Sequence, residues 1–204
     1  IGLKSFAISE HGSEYSWCYF DKIKKDYPDI KMIYGVEFYE CFDTEIKDKE
    51  SKYFHLVVLA KNEEGRKAIN KSNLEGFYYK PRVQLSDFAP YANNLIVSSA
   101  CLASKIAREC DLEKCVEYVN EYKSIFPYFY LEMQSHNHID QEIYNQKILH
   151  LSNIPQNFEN HTLRHLPALQ NRSGHIDLIC LIDIFPFLKA FQKSIFENLF
   201  QFYN

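Results

Sequence analysis

Four residues of metal-binding type, His11, Glu37, His55 and Cys101, sit where apolar stretches of this chain begin or end. Phe6-Ala7-Ile8 runs into Ser9-Glu10-His11-Gly12, and Met32-Ile33-Tyr34-Gly35-Val36 runs into Glu37. The run Phe54 to Ala60 carries His55 near its start, and Leu95-Ile96-Val97 leads through Ser98-Ser99-Ala100 to Cys101. Imidazole, carboxylate and thiolate are the donors of zinc-type sites, and strands ending on one rim can bring them together. A polar group inside a strand pattern costs about 1–3 kcal/mol when unsatisfied, which favours a ligand role for Glu37 and His55. The plainer alternatives are a helix-capping turn for His11, a solvent-facing turn residue for Glu10 and a buried small hydrophobe for Cys101. A Gly-rich phosphate loop, a G-x-S-x-G elbow and a kinase signature are all missing.

The elements that must position these residues alternate along the chain. Trp17, Phe20, Ile23 and Tyr27 recur every three or four residues and predict a helix over 14–27, stopped by Pro28. A strand around 31–39, a charged loop over 43–52 and a strand over 53–60 come next, then a helix over 63–73. The strand 95–98 precedes a short helix through Ile106, and Asp111 is a ready N-cap for a helix over 112–126. A strand over 128–133 and a helix over 139–152, with Ile143, Ile148 and Leu151 inward, complete the pattern. Strand and helix in turn predict an α/β fold with mainly parallel strands, as a barrel or barrel-like sheet. From about Pro155 the texture changes: 157–174 is polar and without period, 178–185 reads as a strand, and Leu188 to Phe202 form a helical stripe.

Composition narrows the class. The 204 residues suffice for one domain with a sizeable core, and aromatics at 16% must fill much of it. No apolar run approaches the roughly 18–20 residues of a membrane span, so the expectation is a cytoplasmic chain without a membrane partner. Six Cys with no C-x-x-C read as reduced thiols. A net charge of −4 excludes a strongly basic nucleic-acid surface but leaves room for a local patch. Lys80 and Arg82, beside Tyr78 and Tyr79, are candidates for touching a nucleic-acid backbone or for packing on a neighbouring domain. His136 and His138 form an H-x-H that reads as a loop after a strand. His161 and His165, four residues apart, read as solvated.

Gly76-Phe77-Tyr78-Tyr79-Lys80-Pro81-Arg82, followed by Val97-Ser98-Ser99-Ala100-Cys101-Leu102, resembles the PHP (polymerase and histidinol phosphatase) domain of the bacterial DNA polymerase III α subunit. SEHG at 9–12, YGVEFY at 34–39, HLVVLAKNEEG at 55–65 and FYLEMQSHNHIDQEIYN at 129–145 agree with that family in order. The resemblance implies a distorted (βα)7 barrel holding a cluster of divalent ions, zinc or manganese. It maps His11, Glu37, His55 and Cys101 onto metal-ligand positions. A family H-x-H pair would lie upstream of Ile1, and a D-x-H pair expected after the helix ending near Ser152 does not appear. The opening Ile1-Gly2-Leu3 has no Met. The expectation is therefore a partial PHP domain over 1–154, with its first barrel strand absent, and a divergent tail over 155–204 that either completes the barrel or is non-native.

The implied role is that of a fragment of a DNA-directed DNA polymerase, a nucleotidyltransferase of DNA replication, meeting DNA and other polymerase III domains and subunits through the parent protein. The segment is too short to carry the palm aspartates of polymerisation. Three activities stay open: a metal-dependent phosphoesterase of the 3′–5′ exonuclease kind, a non-catalytic scaffold, and a stand-alone phosphatase.

Overall fold

The computed structural model describes residues 4–47, 52–134, 138–153 and 180–181. The chain starts with two short strands, β1 (Ser5–Ala7) and β2 (Glu10–His11), then helix α1 (Trp17–Asp26). Strands β3 (Lys31–Ile33), β4 (Gly35–Glu40) and β5 (Phe54–Ala60) follow, then α2 (Glu63–Glu75). The hairpin β6 (Phe77–Tyr78) and β7 (Lys80–Val83) leads through α3 (Leu85–Phe88) and a 3-10 turn to β8 (Leu95–Ser98). Next come α4 (Lys105–Arg108), α5 (Leu112–Ile125), β9 (Phe129–Tyr130), β10 (Glu132–Met133), α6 (Ile139–Asn153) and β11 (Cys180–Leu181).

The main sheet runs β6-β7-β4-β5-β8-β9, with β2 also paired to β4. Among the described residues it does not close on itself. The architecture is mixed α/β, and the expectation of mainly parallel strands needs correcting. β4 lies antiparallel to β5, and β5 antiparallel to β8, while β2–β4, β4–β7 and β8–β9 are parallel. A parallel neighbour requires a crossover, usually a helix. No helix joins β4 to β5 among the described residues, in keeping with their antiparallel pairing.

Side chains alternate across the sheet, which divides it into two faces. Val36, Phe38, Leu56, Val58, Val83, Leu95, Val97 and Phe129 belong to one apolar core with Ile69 of α2, Phe88 of α3 and Val119 of α5. Phe38 and Phe88 meet edge to face with ring centroids 5.2 Å apart. Each such side chain contributes about 1.5–3 kcal/mol on burial. Register places Glu37 opposite Val57 and Tyr39 opposite His55, so the other face carries the polar residues.

Local signals set the helices. Asn62 accepts a hydrogen bond from Gly65 N–H at the start of α2, and Asp111 accepts from Glu113 and Lys114 N–H at the start of α5. In α1, Trp17 and Phe20 are buried against Tyr34, but Ile23 and Tyr27 are exposed. The three-residue β1–β3 pair spans about 10 Å against roughly 15 Å for the helix, so the last turn overhangs it. In α6, Ile148 and Leu151 point inward, whereas Ile143 is exposed. The buried face is Gln141, Tyr144, Ile148 and Leu151, about one side-chain rotation from Ile143. The tail beyond 153 lies outside the described residues except for β11, which pairs antiparallel with β10. The proposed stripe from Leu188 to Phe202 and the histidines 161 and 165 also lie outside them. No described helix is long and apolar enough to cross a membrane.

Candidate metal centre

His11, Glu37 and His55 come together at the polar face of the central strands. One donor atom from each lies within 4.8 Å of the others. Register explains the meeting: His11 of β2 pairs with Glu37 of β4, and His55 on β5 sits diagonally across from it. His11 Nε2 is 3.5 Å from Glu37 Oε1, and His55 Nδ1 is in close contact with the same oxygen. Glu37 Oε1 is buried and receives no well-directed hydrogen bond. The His11 side chain is 73% exposed, that of Glu37 12%. The site is therefore a pocketed carboxylate with an open imidazole on its rim.

Two backbone features hold the flanking segments. Gly12 adopts φ +58°, and its N–H donates to Glu37 C=O at 2.9 Å. A Cβ there would stand 2.8 Å from the Tyr39 ring and 2.9 Å from Pro81, so the His11 turn lies on these two residues only because position 12 has no side chain. Ala100 also takes a left-handed conformation, φ +52°, which costs about 1–2 kcal/mol for an L-residue with a side chain. That twist ends β8 and turns Cys101 back toward His55.

Cys101 Sγ lies 3.3 Å from His55 Nδ1 and accepts from Ala103 N–H at 3.4 Å. His55 N–H in turn donates to Ala103 C=O. A cysteine, a histidine and a glutamate in a row suggest a nucleophile, its base and an orienting acid. Such a triad uses opposite ring nitrogens for its two contacts. Here Sγ and the carboxylate both crowd Nδ1, so the donors converge on one region, as coordination requires. His11, Glu37 and His55 thus occupy one cluster, with Cys101 beside it through His55. The donor set of two imidazoles, one carboxylate and a neighbouring sulfur fits a divalent metal ion.

Contacts with Cys101 and with the Glu37 carboxylate outweigh burial and push His55 up to about 9. A raised histidine contributes stability that is complete below its ordinary value of 6.5 and is lost as pH rises through about 9. In chelator, the unfolding midpoint of the chain should therefore fall between those pH values more steeply than that of a His55→Gln variant. Parallel profiles would contradict this.

Glu132 is a residue that sequence reasoning passed over. Its carboxylate accepts from Ser98 Oγ at 2.6 Å and from Gln134 Nε2 at 2.8 Å. Burial pushes this carboxyl up, the two hydrogen bonds pull it down, and the charge of Glu37 adds to the rise. Its signal was available, since an acid within the apolar run FYLEM meets the same criterion as Glu37. Glu10 instead serves α1, accepting from Ser16 N–H and Oγ–H. His138 is exposed in the turn before α6, and His136 lies outside the described residues. The Lys80–Arg82 pair divides. Arg82 is buried and donates to Thr44 and Ile46 carbonyls, pinning the loop after β4, which removes it as a nucleic-acid contact. Lys80 stays beside the site.

The PHP domain family model matches residues 1–136, which contain all four donors. The DNA polymerase III subunit alpha of Borreliella burgdorferi is 35% identical over 162 residues, covering 74% of this chain. The subunit alpha of Aquifex aeolicus is 32% identical over 169 residues and that of Helicobacter pylori 30% over 172, each with the same coverage. The chain spans about 14% of the length of these relatives.

Proposed function

Because the chain belongs to the PHP domain family, we propose that it works in DNA replication as the PHP unit of a polymerase III α subunit, with a metal-dependent phosphoesterase centre of the 3′–5′ exonuclease kind. The observation that carries this reading is the convergence of His11, Glu37 and His55 from three strands within 4.8 Å. Three protein donors leave an ion with positions open for substrate, the pattern of catalytic rather than structural sites. Bound there, a divalent ion supplies Lewis acidity toward a phosphoryl oxygen and lowers the pKa of water.

The chain's own residues do the rest. Glu37 offers a buried anionic oxygen between two imidazoles, and Cys101 fixes the orientation of the His55 ring. The same reading makes the open sheet part of a PHP-type distorted (βα)7 barrel, with residues 1–154 as the PHP unit and 155–204 as a divergent tail. It assigns zinc or manganese as the ion, the cytoplasm as the location, and DNA and the other polymerase III domains and subunits as partners. A second reading, a non-catalytic scaffold, draws support from exposed Leu74, Phe77 and Tyr79 at the α2–β6 corner.

Metal content separates the two. The chain purified without chelator is expected to carry about one zinc or manganese ion by mass spectrometry. A content far below stoichiometric would leave the scaffold as the function.

A further inference from the structure

We propose that Lys80 is the phosphate-anchoring residue of this centre, positioned by Tyr53. The assignment rests on the phosphoester reading above and adds the recognition of the anion to it. Lys80 opens β7 directly after Tyr79, whose backbone is left-handed at φ +58° and so turns the hairpin tip sharply. Its ammonium lies 4.0 Å from the centroid of the Tyr53 ring and 4.7 Å from that of Tyr39, and it donates to the Tyr53 hydroxyl. Both rings adjoin the metal donors: Tyr39 meets His55 edge on at 5.3 Å, and Tyr53 stacks parallel to it at 6.4 Å. On the other side of Tyr53, Arg108 Nη1 donates to the Tyr53 carbonyl at 3.3 Å.

Lys80 and Arg108 therefore both engage Tyr53, whose ring adjoins His55 of the carboxylate–imidazole centre. Among the described residues neither forms an ion pair with a carboxylate. No described carboxylate pairs with either charge, and aromatic faces and a hydroxyl hold Lys80 in place. This is the reverse of Lys105, which is buried between Glu40 and Glu121. An ammonium held beside a divalent-metal donor set, with no acid of its own among the described residues, matches an oxyanion carrying more negative charge than one metal ion offsets. A phosphate group on a nucleotide end is such an anion, and lysine recognises it as a point charge through charge-assisted hydrogen bonds.

The test uses the full chain and inorganic phosphate as probe, titrated by calorimetry on the metal-loaded protein and again in chelator. Lys80→Met, which keeps the length of the side chain, is expected to weaken phosphate binding about tenfold or more in both conditions. Lys80→Arg should recover most of that loss. Tyr53→Phe, which frees the ammonium without removing its charge, should cost less than Lys80→Met. Metal content should not change in any of the three variants, because none removes a donor. Phosphate affinity unchanged in Lys80→Met would overturn the assignment, as would undetectable binding by the unmodified chain or a greater loss in Tyr53→Phe. If the unmodified chain holds no metal, the metal reading fails by itself, and the comparison in chelator still judges Lys80.

Discussion

Replacing Glu37 with Gln is expected to strip the chain of its metal while leaving it folded. The substitution keeps the size and shape of the side chain and removes only the negative charge, and no other carboxylate joins His11 and His55 in the cluster among the described residues. Divalent ions of this class take anionic oxygen and neutral imidazole, and losing the one anion from a three-donor set removes most of the attraction. An affinity loss of at least 100-fold, on the order of 3 kcal/mol, is the expected size. In chelator the variant should stay folded but unfold somewhat earlier than the parent below about pH 9, because Glu37 helps hold His55 protonated, and the two midpoints should converge as pH rises past that value. Retention of stoichiometric metal by Glu37→Gln would place the centre elsewhere. Loss of metal together with loss of the folded state would leave a structural role for Glu37 as the simpler account.

The second large effect concerns stability and lies on the opposite face of β4. Lys105 is buried between Glu40 at 3.3 Å and the more exposed Glu121 at 3.0 Å, and the Tyr122 hydroxyl donates to Glu40. Burial pushes the Glu40 carboxyl up, while Lys105 and Tyr122 pull it back. Lys105→Met leaves the Glu40 charge buried without its cation, a change that costs about 3–5 kcal/mol. The cost should depend on pH. A carboxylate whose folded pKa stands above its ordinary value near 4.5 contributes stability that is present below that value and lost as pH rises through the folded one. The variant is therefore expected to approach the parent in mildly acidic buffer and fall furthest behind at alkaline pH. Adding Glu40→Gln, which keeps the acceptor for Tyr122 and removes the charge, should recover most of the loss. Denaturant unfolding across that pH range checks both statements; a loss independent of pH would exclude the buried charge as its cause.

Much of this molecule was legible from local chemistry. Asn62 and Asp111 announce α2 and α5 because a side-chain acceptor at a helix start acts within three residues. His11, Glu37, His55 and Cys101 stood out because acids and imidazoles in strand patterns need a reason to be there, and the fold brings the first three together. What stayed hidden depends on distant partners. The direction of β5 goes with the lack of a crossover helix before it among the described residues, not with its own residues. Ile143 looked inward because it is apolar, yet α6 buries Tyr144 instead, whose hydroxyl reaches Ser99 and Ser104. Lys80 and Arg82, two residues apart on one strand, have opposite surroundings: one borders the centre, while carbonyls of another loop engage the other. Charge alone could not separate them.

The absence of a side chain at Gly12 has a consequence for how the site responds to what it binds. The turn bearing His11 lies against Pro81, the immediate neighbour of Lys80, so closely that no side chain would fit at position 12. A close-packed contact of this kind transmits displacement rather than absorbing it. In the proposed reading, the His11 turn and the strand bearing Lys80 therefore meet at this one contact. The expectation is that metal and anion binding are linked there, and linkage is reciprocal: whatever factor a bound anion adds to metal affinity, a bound metal must add to anion affinity.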